Sequence, residues 1–209
     1  MVLSSPLSSW DSLMLSPKAL RDVELTGVVA RFIPKFFGTH LIEPRWHDSN
    51  PMKPRLRYGK VAPGVREAML GLEKYVESSG LEPGLLNLIK IRASQINGCA
   101  WCLDMHTKDA RAAGETEQRI YALSAWRETQ FYTPKERAAL GWTEAVTLVA
   151  ASGVPDEVFE GARKHFTEKE LVDLTMAVVA INGWNRFNVA FRTVPGDYRP
   201  TPSPKTTSP

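Results

Sequence analysis

Residues 82–114 read EPGLLNLIKIRASQINGCAWCLDMHTKDARAAG, and the punctuation of this stretch decides the fold. Pro83 stands near the start of an apolar run that closes on Asn97-Gly98. A proline is tolerated in the first helical turn, whose N–H groups are unpaired in any case, and a glycine commonly follows the last turn. A second run starts at Cys99 and stops on Gly114. The stretch therefore predicts two consecutive helices.

The same reading extends in both directions. PGVREAMLGLEKYVESSG, residues 63–80, places Val65, Met69, Leu72 and Val76 at three- and four-residue spacing and ends on Gly80. Downstream, ETEQRIYALSAWRET (115–129), TPKERAALGWTEAVTLVAAS (133–152), PDEVFEGARKHF (155–166) and TEKELVDLTMAVVAINGWNRFNVAFR (167–192) continue the helical pattern. Thr133 with Glu136, and Thr167 with Glu170, have the spacing in which two side chains reciprocally satisfy the first free N–H groups of a helix. No stretch alternates apolar and polar residues with the β-branched enrichment of a strand. The prediction is an all-α fold.

Residues 1–53 are rich in Ser and Pro without a sustained period, and DSNPMKPR (48–55) reads as a linker. The tail RPTPSPKTTSP from Arg199 is biased toward Pro, Ser and Thr and is expected to be disordered. The division expected is an extension and linker over 1–53, a helical domain over 54–198 and a tail over 199–209.

Composition narrows the function. Of 209 residues, 43% are hydrophobic and 23% charged, which is globular, and the formal charge of +3 is spread along the chain. A nucleic-acid partner is not expected without a clustered basic face. The longest apolar runs, such as Met176–Ile181, are far too short to span a bilayer. Two cysteines in a chain of this length do not make a secreted disulfide framework, so a reducing cytoplasm is the default expectation. No basic segment followed by an apolar core marks a secretory signal, and Asp11, Asp22 and Glu24 count against a transit peptide.

The whole supply of thiols, Cys99 and Cys102, lies three residues apart with His106 four residues further on. At 100° per residue these three positions fall within about 60° of one another, on one helix face. Gly98 puts the pair at the helix start, where unpaired N–H groups and the helix dipole favour a thiolate. His106 is in i, i+4 register with Cys102, so it serves Cys102 better than Cys99. Inert buried thiols and a zinc site are the competing readings. A structural zinc site wants four ligands, and His40, His47 and His165 have no ligand spacing to the pair, so neither metal nor other cofactor is expected. Redox chemistry is the better reading.

LLNLIKIRASQINGCAWCLDMHTKDARAAGETEQRIYALSAWRET, followed by ERAALGWTEAVTLVA and FTEKELVDLTMAVVAINGWNRFNVAFRTVPG, resembles the AhpD-like alkylhydroperoxidases of the carboxymuconolactone decarboxylase superfamily over about residues 57–197. The resemblance implies an oligomeric helical bundle, trimeric or hexameric, acting as a thiol peroxidase or disulfide reductase on a small hydroperoxide or disulfide with an external thiol reductant. It implies that Cys102 is oxidised to a sulfenic acid, that Cys99 resolves it as a disulfide, and that His106 is the relay histidine. The family glutamate twelve residues before the first cysteine is Asn87 here, and the imidazole its best-known peroxidases carry between the cysteines is Trp101. An amide cannot accept a proton, so Asn87 is expected to face and orient His106 without completing an acid–base relay. Glu144 is the candidate substitute carboxylate. A dithiol–disulfide oxidoreductase, a decarboxylase-type lyase and a non-catalytic oligomeric protein are the alternative functions; the lyase chemistry does not need paired cysteines.

Overall fold

A computed structural model describes residues 52–200. Residues 1–51 of the extension and linker expected over 1–53, and residues 201–209 of the tail expected over 199–209, lie outside the described residues. The described residues contain helices and no strand, as the punctuation predicts. The helices are α1 (Tyr58–Val61), α2 (Pro63–Ser78), α3 (Pro83–Asn97), α4 (Ala100–Ala112), α5 (Glu117–Ala122), α6 (Pro134–Thr147), α7 (Val149–Ser152), α8 (Asp156–Arg163) and α9 (Glu168–Phe191). A 3-10 turn, Leu123–Glu128, follows α5.

The centre of the bundle is α3, which packs against α4, α6 and α9, while α2 lies along α9 and α8 along α6. A helix enclosed in this way is apolar on several faces rather than along one stripe. Leu85, Leu86 and Ile89 join Val76, Trp142, Leu174 and Val178 in one cluster. Leu88 and Ile91 face Ala110, Leu123, Trp126 and Leu140 in a second. Leu88, Ile89 and Ile91 are fully buried, and truncating any one to alanine should cost about 2–5 kcal/mol.

Two local devices fix the frame. Both expected capping boxes form: Thr133 and Thr167 accept from the N–H groups of Glu136 and Glu170, whose carboxylates bond back. Gly98 takes the left-handed conformation, φ +64°, and lets the Cys99 N–H bond the Ser94 carbonyl at 3.0 Å. That closes α3 and reverses the chain directly into α4, a turn a side chain at Gly98 would strain.

The helix expected over 133–152 breaks at Leu148 into α6 and α7. The run over 115–129 likewise tightens into the 3-10 turn, where Ala125 departs from helical dihedrals (φ −113°, ψ 28°). In both cases packing overrides a continuous local propensity. The turn seats Trp126 in the second cluster with its indole N–H on Glu144. No helix among the described residues is long and apolar enough to cross a membrane.

Candidate active site

The turn at Gly98 makes Cys99 the residue that caps α4, so the thiol pair stands at a helix N-terminus. The Cys99 sulfur accepts from the Cys102 N–H at 3.4 Å, and the two sulfurs are 2.6 Å apart, the Cys99 thiol donating to Cys102. Either sulfur can reach the other without movement of the backbone. Both thiols are free and about 99% buried in a small cluster with Ala93 and Ile181, partly covered by Trp101 and Trp184.

The two cysteines differ in what surrounds them. Cys102 lines a cavity of about 500 Å³; Cys99 does not. The hydrogen bond from Cys99 is the largest influence on Cys102, lowering its pKa to about 7 against the opposing effect of burial. Donors from Asn188, Asn185 and Ser94 act in the same direction. Cys99 moves the other way: its donated hydrogen bond and its burial hold it as a thiol. The geometry thus separates an ionisable sulfur facing the cavity from a protonated sulfur behind it.

The polar shell behind the sulfurs comes from α9. Asn185 donates to the Ser94 hydroxyl at 3.0 Å and accepts from the Asn97 amide at 2.8 Å, and Asn97 also donates to Asn182. Asn188 donates to the Cys102 sulfur at 3.4 Å and accepts from the Tyr58 hydroxyl at 3.3 Å. These amides pin the Gly98 turn to the long helix.

His106 also lines the cavity and is buried. Burial, helped by the nearby Lys90 ammonium, lowers its pKa to about 3. Its Nδ1 lies 3.9 Å from the Asp109 carboxylate, a separation that would become an ion pair only on protonation; at neutral pH the imidazole is uncharged. Lys90 is itself held by Glu73, Nζ to Oε2 at 2.6 Å, and the other Glu73 oxygen accepts from the Trp184 indole at 3.1 Å. Leu70, Met105, Trp101 and Trp184 supply the apolar and aromatic parts of the wall.

The segment beyond α9 lies across α4 and contributes Thr193 and Tyr198 to the same cavity. Asp104 accepts from the Gly196 N–H at 3.0 Å, Lys108 donates to the Tyr198 carbonyl at 3.1 Å, and the Tyr198 hydroxyl donates to Asp109 at 2.6 Å. Among the described residues no group of three or more His, Cys, Asp or Glu is placed to hold a metal ion.

Residues 63–145 match the model of the carboxymuconolactone decarboxylase family. The uncharacterized protein YdfG of Bacillus subtilis is 48% identical over 139 residues, which span 66% of this chain and 95% of YdfG. The chain belongs to the carboxymuconolactone decarboxylase family. It is AhpD-like: a crystal structure from Agrobacterium tumefaciens, of a candidate antioxidant defence protein AhpD, is 50% identical, with TM-score 0.68 over 70% of this chain and 100% of that one. The debrominase Bmp8 shares the fold at 21% identity and TM-score 0.60, over 66% of this chain and 74% of Bmp8.

Within this family fold, the structure brings Cys102 and His106 to one cavity with Cys99 directly behind, and it leaves two other sequence candidates elsewhere. Asn87, expected to face His106, lines a separate hollow with Gly84, Ala110, Gly114 and Arg119. The reason is the hairpin about Gly98: residues equidistant from an antiparallel turn meet. Lys90 and His106 each lie eight residues from Gly98, whereas Asn87 lies eleven and Ala110 twelve away. Glu144, the substitute carboxylate, is committed to structure. It accepts from Arg92 Nε at 2.7 Å, from the Trp126 indole at 2.8 Å and from Arg127. Burial would raise its pKa, but these three donors together hold it below the ordinary carboxylate value. The carboxylates that do line the thiol cavity are Glu73 and Glu77 of α2 and Asp109 of α4.

Proposed function

We propose that the protein is a thiol-dependent peroxidase of the alkylhydroperoxidase type, with Cys102 as the attacking sulfur and Cys99 as the resolving one. The observation that carries this reading is the asymmetry of the pair: of two adjacent thiols, only Cys102 borders the cavity, and it is the one whose ionisation is favoured.

The Cys102 thiolate attacks the terminal oxygen of a hydroperoxide. An S–O bond forms, the O–O bond breaks, and the alkoxide leaves with the bonding electron pair and takes up a proton, giving an alcohol and Cys102 sulfenic acid. The Lys90 ammonium lines the cavity as a donor for that leaving oxygen. The Cys99 sulfur then displaces hydroxide from the sulfenic acid; its proton leaves with the hydroxide as water, and a disulfide remains. An external dithiol reduces the disulfide back to two thiols. The neutral His106 can donate and accept hydrogen bonds in the cavity but, with its pKa lowered to about 3, acts as an orienting group rather than as the proton acceptor at neutral pH. Apolar and aromatic walls favour organic hydroperoxides over hydrogen peroxide. A chain whose only two cysteines form one closely spaced pair fits a reducing compartment, the cytoplasm.

A second reading, dithiol–disulfide exchange without peroxidase turnover, is favoured by the position of Asn87. With no carboxylate supplied from that site, exchange still needs only the Cys102 thiolate. One assay separates the two: consumption of tert-butyl hydroperoxide and of a small aromatic disulfide by the reduced protein, with a dithiol donor, against Cys99→Ser and Cys102→Ser. The peroxidase reading expects catalytic peroxide loss that Cys102→Ser abolishes and that Cys99→Ser limits to a single turnover. Peroxide loss no faster than in Cys102→Ser, with the disulfide still reduced, would replace it by the exchange reading.

A further inference from the structure

We infer that Asn188 and Tyr58 form a donor dyad for the reactive sulfur: Tyr58 fixes the orientation of the Asn188 side-chain amide, and Asn188 hydrogen-bonds and stabilises the Cys102 thiolate. The inference rests on Cys102 being the attacking thiol. Both residues lie outside residues 63–145, the part of the chain the family model matches.

An asparagine side chain presents an oxygen that accepts and a nitrogen that donates, and only the nitrogen stabilises a thiolate. Which end faces the sulfur must therefore be set by something else. Asn188 is 5% exposed, so water does not set it. The Tyr58 hydroxyl can donate to the amide oxygen, at 3.3 Å, which leaves the amide nitrogen toward the Cys102 sulfur at 3.4 Å. Rotating the amide by 180° would set its oxygen against the thiolate and would forfeit the hydrogen bond that the Tyr58 hydroxyl donates, leaving that hydroxyl to act as an acceptor instead.

Tyr58 is held independently of the thiols. Its ring stacks on Phe187 at 5.1 Å and packs against Phe191, one turn further along α9. The segment before it is tied to the end of α9 through the Arg55 N–H on the Phe191 carbonyl and the Arg55 guanidinium on the Ala190 carbonyl. Burial and the nearby Cys102 raise the Tyr58 pKa, so the hydroxyl remains a donor throughout the range in which Cys102 ionises.

The test reads the thiolate directly. The reduced full-length protein is alkylated with iodoacetamide across pH 5 to 10, with mass spectrometry assigning the labelled cysteine, for the natural protein, Tyr58→Phe and Asn188→Asp. Tyr58→Phe keeps the ring and its stacking; Asn188→Asp keeps the side-chain shape but replaces the donor by an acceptor. The groups that share the cavity, namely Arg66, Glu73 and Glu77 of α2, Lys90 of α3, His106 and Asp109 of α4 and Tyr198 beyond α9, are the same in all three proteins. The Cys102 midpoint should rise by about one pH unit or more in Asn188→Asp, the size of one hydrogen bond to a charged group, and by less in Tyr58→Phe. An unmoved midpoint in a folded Asn188→Asp overturns the dyad. An unmoved midpoint in Tyr58→Phe overturns it as well, even where Asn188→Asp does not fold. Shifted midpoints without hydroperoxide turnover in the natural protein would leave the dyad standing and remove the peroxidase reading; turnover with unmoved midpoints would do the reverse.

Discussion

Acidification should unfold this protein through one imidazole before its carboxylates titrate. His106 is buried and neutral, with its pKa lowered from the ordinary 6.5 to about 3 by burial first and by Lys90 second. The unfolded chain therefore binds a proton at this site between about pH 6.5 and 3 that the folded chain does not. Stability must rise with pH across that window and fall as the solution is acidified through it. Each pH unit well inside the window is worth up to about 1.4 kcal/mol, so moving from pH 7 to pH 5 should cost about 2 kcal/mol from this group alone. For a domain of this size, with a urea slope near 2 kcal/mol/M, the midpoint should fall by about 1 M. The assay is urea unfolding of the reduced protein followed by far-ultraviolet circular dichroism at pH 7, 6 and 5, beside His106→Gln. The variant keeps a buried polar side chain but cannot titrate, so its midpoint should move much less. Equal slopes in the two proteins would refute the argument, because they would mean that the folded imidazole accepts its proton and pairs with Asp109.

Mild peroxide should produce an intramolecular Cys99–Cys102 disulfide, read as the loss of two hydrogens in the intact mass; sulfonic acid on both sulfurs with no disulfide would contradict the resolving role. Glu144→Gln should lower stability by about 1–3 kcal/mol, since Arg92 and Arg127 lose a charged acceptor, while the Cys102 alkylation midpoint stays in place; a large shift in that midpoint would return Glu144 to the thiol chemistry. Val172, Val179 and Val189 on α9, with Leu70 and Tyr75 on α2, remain exposed on two helices that pack together. These exposed apolar side chains lead us to expect a homo-oligomer, and the resemblance to the AhpD-like proteins implies a trimer or hexamer; a monomer mass by light scattering at micromolar concentration would refute this.

The parts of the fold that the sequence announces are those written in local chemistry. Pro83, Gly98 and Gly114, with the Thr133–Glu136 and Thr167–Glu170 pairs, bound helices because each satisfies or removes a backbone group within a few residues. The break at Leu148 and the tightened turn at Leu123–Glu128 carry no such residue; they follow from side chains seated against distant helices, and local propensity is silent about them. The site divides in the same way. Cys99, Cys102 and His106 are legible because one helix face carries all three. Glu73, Lys90, Tyr58 and Asn188 reach the cavity from four other places in the chain, and in isolation each resembles an ordinary helix residue. Lys90 alone left a signal: counting outward from Gly98 pairs it with His106, where alignment to the family spacing had pointed to Asn87. Trp184 lines the cavity, whereas Phe187 serves as a stacking surface for Tyr58.

The strap formed by Thr193–Tyr198 bears on how this protein is handled at the bench. Its Gly196 N–H, its carbonyls and its tyrosine hydroxyl are tied across α4 by Asp104, Lys108 and Asp109 respectively, and Thr193 and Tyr198 line the cavity. A tag or fusion joined close after Tyr198, or a deletion within Thr193–Tyr198, would alter part of the wall of the thiol cavity. Substrate ranking among hydroperoxides of different size should then differ between shortened and intact chains even when the thiols titrate identically. Screens for the natural substrate are best run on protein whose C-terminal end has been left alone.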